Sequence, residues 1–262
     1  MAGLAAVIGS GIAYNAAPGD ILLLPLVFIT VFLLTGAGNA INDYFDAGID
    51  AVNRPDRPIP SGRLKKESAY KFSIILFACG IVAAYFIGTA PFLIALFNSL
   101  LLYVYAFSLK RKVFVGNLSV SYLTGSTFLF GGAAYGLKGI EATSVLFFLS
   151  MLATLAREIV KAIEDMEGDR KDGAVTLPIR IGERPSAYIA SGVGILAVIL
   201  SPVPFILGLF NTSYLLFVGI ADIIFLYAVL LIMKNNPSES SKYFKVAMFF
   251  ALVAFIAGSF LR

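Results

Sequence analysis

Histidine and tryptophan are both absent from the 262 residues, and cysteine occurs once, as Cys79. The missing histidine excludes imidazole metal ligands and a histidine general base. A single cysteine excludes an intramolecular disulfide. Charge is scarce as well: Asp, Glu, Lys and Arg make up 14% of the chain, against about a quarter in soluble proteins. What fills the space is apolar. Hydrophobic residues account for 59%, and the mean hydropathy is +0.88. This is the composition of a protein that lies in lipid.

Nine apolar segments can be marked, at residues 1–17, 21–41, 71–89, 91–108, 114–136, 143–163, 186–208, 213–233 and 243–261. All but the first have about the 17–25 residues that a helix needs to cross a bilayer. Period-two alternation is absent, and lipid leaves an unpaired strand edge without partners. The expected fold is therefore all-α, a polytopic membrane protein of about nine transmembrane helices in one domain over residues 1–262. Segment 1–17 has neither a basic leading stretch nor a small-residue cleavage site before a soluble domain, so it reads as a short first helix and not as a signal peptide.

The basic residues orient the bundle. All 20 Lys and Arg except Lys138 and Arg262 fall in the connections 2–3, 4–5, 6–7 and 8–9 or the adjoining helix ends. By the positive-inside rule these connections and the N-terminus face the cytoplasm, with the C-terminus outside. The isoelectric point near 9.1 thus reflects membrane topology and not nucleic-acid binding. Nothing in the chain indicates a protein partner.

Two acidic clusters stand out against this background. The first is Asn42-Asp43-Tyr44-Phe45-Asp46-Ala47-Gly48-Ile49-Asp50. On a helix Asp43, Asp46 and Asp50 share one face at i, i+3 and i+7, with Asn42 beside them. The second runs from Glu158 to Asp169, where Asp165 and Asp169 form an i, i+4 pair and Glu158, Lys161, Glu164 and Glu167 surround them. Carboxylates this close repel unless a cation lies between them. Hard oxygen ligands suit Mg²⁺, which takes one or two protein carboxylates plus phosphate oxygens. The pattern points to a Mg²⁺–diphosphate site at the cytoplasmic mouth of the bundle. A solvated helix end is the competing explanation for the first cluster, but four polar groups on one face exceed what a helix terminus needs. For the second cluster alone, a salt-bridged helix end with Lys161 paired to Glu158 or Asp165 would suffice.

Each cluster is followed by a basic loop containing Pro and Gly, which makes the two halves of the chain weakly alike. In the first, Pro55, Pro58 and Pro60 prevent a continuous helix and leave Arg54, Arg57 and Arg63 free to turn back to the acidic face. The second includes Arg170, Lys171, Asp172, Gly173 and Arg180. Between them Lys110-Arg111-Lys112 closes the fourth segment. These residues serve either as a positive-inside anchor or as neutralising groups for a diphosphate. Asp222 lies inside the eighth segment without a neutralising neighbour, and is expected to face the bundle and accept a hydrogen bond or be protonated. Asn98 and Asn117 are expected to make helix-packing contacts. Of the 23 Phe and 12 Tyr, some would line a cavity if an allylic cation forms there.

At this point a family resemblance can be stated. Asn42-Asp43-x-x-Asp46-x-x-x-Asp50, followed by Arg54-Pro55-x-Arg57-Pro58-x-Pro60-x-Gly62, resembles the first signature of the UbiA-type intramembrane prenyltransferases. Asp165-x-x-x-Asp169, with Lys161 one turn before it and Gly168 inside it, resembles their second. Lys110-Arg111 matches the basic pair between them, although the Tyr usually found four residues before the Lys is replaced by Ala106, with Tyr105 one residue earlier. Family members usually begin with a basic Arg-Pro stretch and an Asn ahead of a full first helix. This chain opens at Met1-Ala2-Gly3-Leu4, so either the natural start lies earlier or that part of the acceptor site is altered.

The resemblance implies nine helices around a central cavity open to the cytoplasm and laterally to lipid. It implies transfer of a prenyl group from its diphosphate to an acceptor. Asp43, Asp46 and Asp50 would hold one Mg²⁺ and Asp165 with Asp169 a second, all five being catalytic. Asn42, Arg54, Arg57, Lys110, Arg111 and Lys161 would bind substrate. Within the family, Gly116-Asn117-x-x-Val120-x-Tyr122-Leu123-Thr124-Gly125 and Phe130-Gly131-Gly132 are similar to the archaeal members that form the second ether bond of archaeal lipids. Those join geranylgeranyl diphosphate to geranylgeranylglyceryl phosphate, and Lys65, Lys66, Lys161 and Arg170 could receive the acceptor's phosphate. Transfer to an aromatic acceptor such as 4-hydroxybenzoate is the alternative within the family. Outside it, a CDP-alcohol phosphotransferase would need one compact acidic run, and a cation transporter would need midplane charges, of which only Asp222 qualifies.

Overall fold

A computed structural model describes residues 2–171 and 173–260; Met1, Asp172, Leu261 and Arg262 lie outside them. Every regular element among the described residues is helical. In chain order these are α1 (Ala2–Ala16), α2 (Leu23–Asn53), α3 (Lys66–Ile87), α4 (Thr89–Phe107), α5 (Val115–Ala133), α6 (Gly136–Glu164), α7 (Met166–Lys171), α8 (Leu177–Ile181), α9 (Glu183–Leu200), α10 (Val203–Ile206), α11 (Thr212–Met233) and α12 (Pro237–Phe260). A 3-10 turn at Leu109–Arg111 joins α4 to α5. The chain is a multi-pass membrane protein.

Among the described residues, seven segments are long and apolar enough to cross a membrane: α2, α3, α4, α6, α9 with α10, α11 and α12. The other two expected spans are present as helices but differ in kind. The first, α1, has only 15 residues. The fifth, α5, has 19 residues, more than half of them Gly, Ser, Thr or Asn. The reason lies in packing. Apolar side chains gain nothing by leaving lipid for a helix–helix contact, so close backbone approach and interhelical hydrogen bonds must hold such helices together. A Cβ added at Gly131 of α5 would lie 2.1 Å from the Ala6 carbonyl oxygen of α1, and one at Gly132 would lie 2.5 Å from the Gly139 carbonyl oxygen of α6. Ser10 of α1 donates to the Gly131 carbonyl at 3.0 Å. Helix α5 is thus wedged between α1 and α6, and its small residues are what permit it.

The other neighbours complete a ring. Helix α2 packs on α1, α3 and α4; α6 packs on α9 and α12; and α11 packs on α9 and α12. One apolar cluster unites α1 to α4 around Val27, Leu34, Ile41 and Phe77. A second joins α6, α9, α11 and α12 around Ile159, Phe225 and Phe244. Tyr214, Phe210 and Phe255 anchor a third. Inside the ring lies a cavity of about 640 Å³.

Candidate active site

Helix α2 does not end where its apolar stretch gives way to polar residues. The helix runs unbroken to Asn53, so Asn42, Asp43, Asp46 and Asp50 lie on the helix itself and not in the loop after it. Asn42 Nδ2 donates to Asp46 Oδ2 at 2.8 Å, the expected i, i+4 contact. The proline-bearing loop then folds back through turn bonds, Ser61 N to Arg57 O at 2.9 Å and Leu64 N to Pro58 O at 2.9 Å. That return brings the Arg57 guanidinium between two carboxylates, with Nη1 3.1 Å from Asp43 Oδ1 and 2.7 Å from Asp50 Oδ2. The Asp50 hydrogen bond pushes the Arg57 guanidinium above its ordinary value, so it stays charged. Arg63 instead donates to the Asp56 carbonyl and to Ser61 Oγ, and Arg54 lies exposed as the C-cap of α2.

Lys110 reaches this cluster from the 3-10 turn. Its Nζ pairs with Asp46 and donates to Asn42 Oδ1 at 3.1 Å, across more than sixty residues of sequence. Phe114, with φ of 61°, takes a left-handed conformation uncommon for an aromatic residue and turns the chain from Lys110 into α5. Arg111 is exposed, but its carbonyl accepts from Val175 N at 3.1 Å. That bond ties the turn bearing Lys110 to the loop after the second cluster.

In the second cluster Asp165 caps α6, and Asp169 N donates to Asp165 O at 3.0 Å, which keeps the pair stacked as on a continuous helix. Lys161 Nζ stands 4.0 Å from Asp165 Oδ2, both half-exposed. Deeper on α6, Arg157 Nη1 donates to Glu158 Oε1 at 2.7 Å, and Asn117 Nδ2 donates to the Glu158 carbonyl at 3.0 Å. Tyr105 lies within electrostatic reach of Asp46, Glu158 and Asp169, and so between the two clusters, while Ala106 is buried in the α1–α4 core. The one-residue offset from the family pattern therefore leaves the tyrosine facing the site. Tyr105 lies in an apolar segment that does not single it out, and Arg157 reads in the sequence as one of the basic residues at a cytoplasmic helix end.

The cavity opens beside Tyr105. Its walls include Leu34, Leu102, Phe128, Phe130, Phe225 and Phe255, which answers which aromatic residues face inward. Its polar lining includes Asn39, Asn98, Ser201 and Asp222. Asn98 Nδ2 donates to Ser126 Oγ at 2.9 Å, so Asn98 and Asn117 both serve helix contacts. Asp222 accepts from Ser201 Oγ at 2.7 Å, so it faces the bundle.

Whether these residues fit a metal can be judged from the donors. Among the described residues, no three acidic side chains converge on one point closely enough to hold an ion alone. The oxygens are of the right hardness for Mg²⁺, and Arg57 and Lys110 already lie among them. Such a half-built shell suits an ion that arrives with phosphate oxygens, which would fill the remaining positions.

The profile of the UbiA prenyltransferase family matches residues 3–253. A curated relative, the digeranylgeranylglyceryl phosphate synthase of Methanosarcina mazei, is 54% identical over 98% of this chain and 93% of its own length. Among solved structures, one of a digeranylgeranylglyceryl phosphate synthase in membranes superposes with a TM-score of 0.86 at 45% identity, covering 98% of this chain and 92% of that one. A UbiA homolog from Archaeoglobus fulgidus bound to GPP and Mg²⁺ shares the fold, with a TM-score of 0.74 at 15% identity over 97% of this chain and 96% of that one. The motif order, the helical ring and these matches agree: the chain belongs to the UbiA prenyltransferase family.

Proposed function

We propose that this prenyltransferase moves a geranylgeranyl group from geranylgeranyl diphosphate to geranylgeranylglyceryl phosphate, forming the second ether bond of an archaeal membrane lipid. The observation that carries the reading is an apolar cavity lined by Tyr105, which lies within electrostatic reach of Asp46 and Asp169, with the Lys110 turn tying the first acidic cluster to the loop after the second. A relative 54% identical bears the name of that activity, which supports the choice of acceptor.

In this reading Asp43, Asp46 and Asp50 hold one Mg²⁺, and Asp165 with Asp169 a second. When bound, the metal supplies Lewis-acid neutralisation of the diphosphate. The protein's own groups do the rest. Asn42 orients Asp46, Arg57 and Lys110 swing from carboxylate to phosphate oxygens, and Arg54, Arg111 and Lys161 close over the diphosphate from outside. Arg57 offers a planar fork to phosphate, and Lys110 a point charge. As the C1–O bond breaks, these cations stabilise the charge on the leaving diphosphate. Tyr105, Phe128 and Phe130 shield the allylic cation from water and stabilise it through their π faces without attacking it. The glycerol hydroxyl forms the new C–O bond, and its proton passes to an aspartate or to the departing diphosphate, so no histidine is required. The catalytic unit is one domain spanning 1–262, a nine-helix bundle in the cell membrane with the acidic mouth and N-terminus towards the cytoplasm.

The test is product identification. Purified protein in lipid with Mg²⁺ and both substrates should yield the diether phosphate, and EDTA should stop its formation. A product that forms equally well without divalent metal would refute the metal assignment.

A further inference from the structure

The geometry points to Arg157 of α6 as the group that binds the phosphate of the acceptor, a role distinct from binding the donor's diphosphate. This rests on the acceptor proposed above and names the residue that selects it.

Arg157 lies inside the membrane-spanning part of α6, where a guanidinium is a functional group by default. It is 23% exposed, and only one edge of it is engaged: Nη1 donates to Glu158 Oε1 at 2.7 Å. On the other edge Nε is buried and has no hydrogen-bond partner among the described residues. One turn away, Thr154 Oγ1 is also buried without a partner. Thr154 and Arg157 stand at i, i+3 on the face of α6 that continues from Ser150 and Ala153, both of which line the cavity. Buried polar groups in a folded protein are nearly always satisfied, so two orphans one turn apart, on the helix face that continues from the cavity lining, mark a place where a ligand supplies acceptors. Nε and Nη2 form the side-on fork of a guanidinium, which matches two oxygens of a phosphate.

The other cations of the site are assigned above to the diphosphate. Arg57 bridges Asp43 and Asp50, and Lys110 holds Asp46 and Asn42. Both belong to the first cluster, on the side where the diphosphate is proposed to bind. Lys161 is half-exposed near Asp165. Lys245 of α12 lines the cavity as well, but it offers a phosphate a point charge and not a fork; Arg157 is set two turns before Asp165 on α6. In a glyceryl phosphate the phosphate is at most two carbons from the hydroxyl that attacks. A phosphate held by Arg157, one turn along α6 from the cavity-lining Ala153, therefore leaves that hydroxyl beside the breaking bond.

The experiment compares geranylgeranylglyceryl phosphate with its dephosphorylated form, geranylgeranylglycerol, as acceptors. In the wild-type protein the alcohol should show a KM higher by about ten- to a hundred-fold, the size of a lost charge-assisted hydrogen-bond pair. Arg157→Gln should raise the KM for the phosphorylated acceptor to near that of the alcohol, with the KM for geranylgeranyl diphosphate little moved. Arg157→Lys, which keeps the charge but not the fork, should fall between and stands in if the Gln variant does not fold. Equal KM values for the two acceptors in the wild type, or a preference retained in both variants, would overturn the inference while leaving the proposed function intact. A rise confined to the donor's KM would overturn it too, assigning Arg157 to the diphosphate. Transfer by the wild type to neither acceptor would sink the functional reading itself.

Discussion

Lys110 and Asp46 offer a quantitative test, because they are bonded to each other and both are proposed to act on the diphosphate. Lys110 is 15% exposed and Asp46 19%, so their pair is only weakly screened by water. Lys110→Ala removes one cation from the leaving group. By analogy with a lost electrostatic stabiliser, this should reduce kcat/KM by about 10²–10³, or roughly 2.7–4 kcal/mol of transition-state stabilisation. Asp46→Ala removes a proposed metal ligand and also the anchor of Lys110, so its loss should be at least as large, about 10³ or more. Were the two independent, the double variant would lose about 10⁵ or more. Since Asp46 positions Lys110, the double variant should lose little more than Asp46→Ala alone, as groups acting as a unit do. The assay is steady-state transfer of labelled prenyl groups, with folding checked by monodisperse extraction. Multiplicative losses would refute the claim that the pair works as one device, and full activity in Asp46→Ala would refute the metal site altogether.

Three further outcomes are expected. Asp169→Ala should abolish turnover while the protein remains extractable and folded, as measured by transfer and thermal unfolding in detergent. Gly131→Ala should destabilise the bundle by about 1–3 kcal/mol, because its Cβ would stand 2.1 Å from a backbone carbonyl that cannot rotate away; an unchanged unfolding temperature would mean that α1 and α5 do not touch as described. Asp222→Asn, which conserves volume and can still accept from Ser201, should shift stability by less than about 1.5 kcal/mol. A large loss of turnover in that variant would make Asp222 a participant in the chemistry.

The acidic clusters are readable from sequence for a physical reason. Three aspartates on one helical face at the edge of an apolar run have no structural purpose strong enough to repay their desolvation, and Arg57 follows close enough for its return to be anticipated from the prolines. Longer-range partners are another matter. The bond from Lys110 to Asp46 joins the turn after α4 to α2, and neither the spacing nor the family pattern predicts it. Tyr105 could not be assigned because a shift of one position on a helix turns a side chain by about 100°, and only the packing of α4 decides which face is inward. Arg157 was hidden for another reason: in the sequence it is one of many basic residues at a cytoplasmic helix end, whereas its buried, partnerless Nε is visible only in three dimensions. The hydropathy-based span limits placed α2 too short, since the helix continues twelve residues past the apolar run to carry the carboxylates. In α5 the low hydropathy reflects a helix that meets other helices and not lipid.

The central claim is that this chain makes an ether bond to a lipid phosphate, and a competition assay addresses it most directly. Purified protein in lipid with Mg²⁺ and labelled geranylgeranyl diphosphate would be offered geranylgeranylglyceryl phosphate and 4-hydroxybenzoate together in one vessel. Label is expected in the diether phosphate alone and is lost on adding EDTA. Label in the prenylated aromatic acid would contradict it.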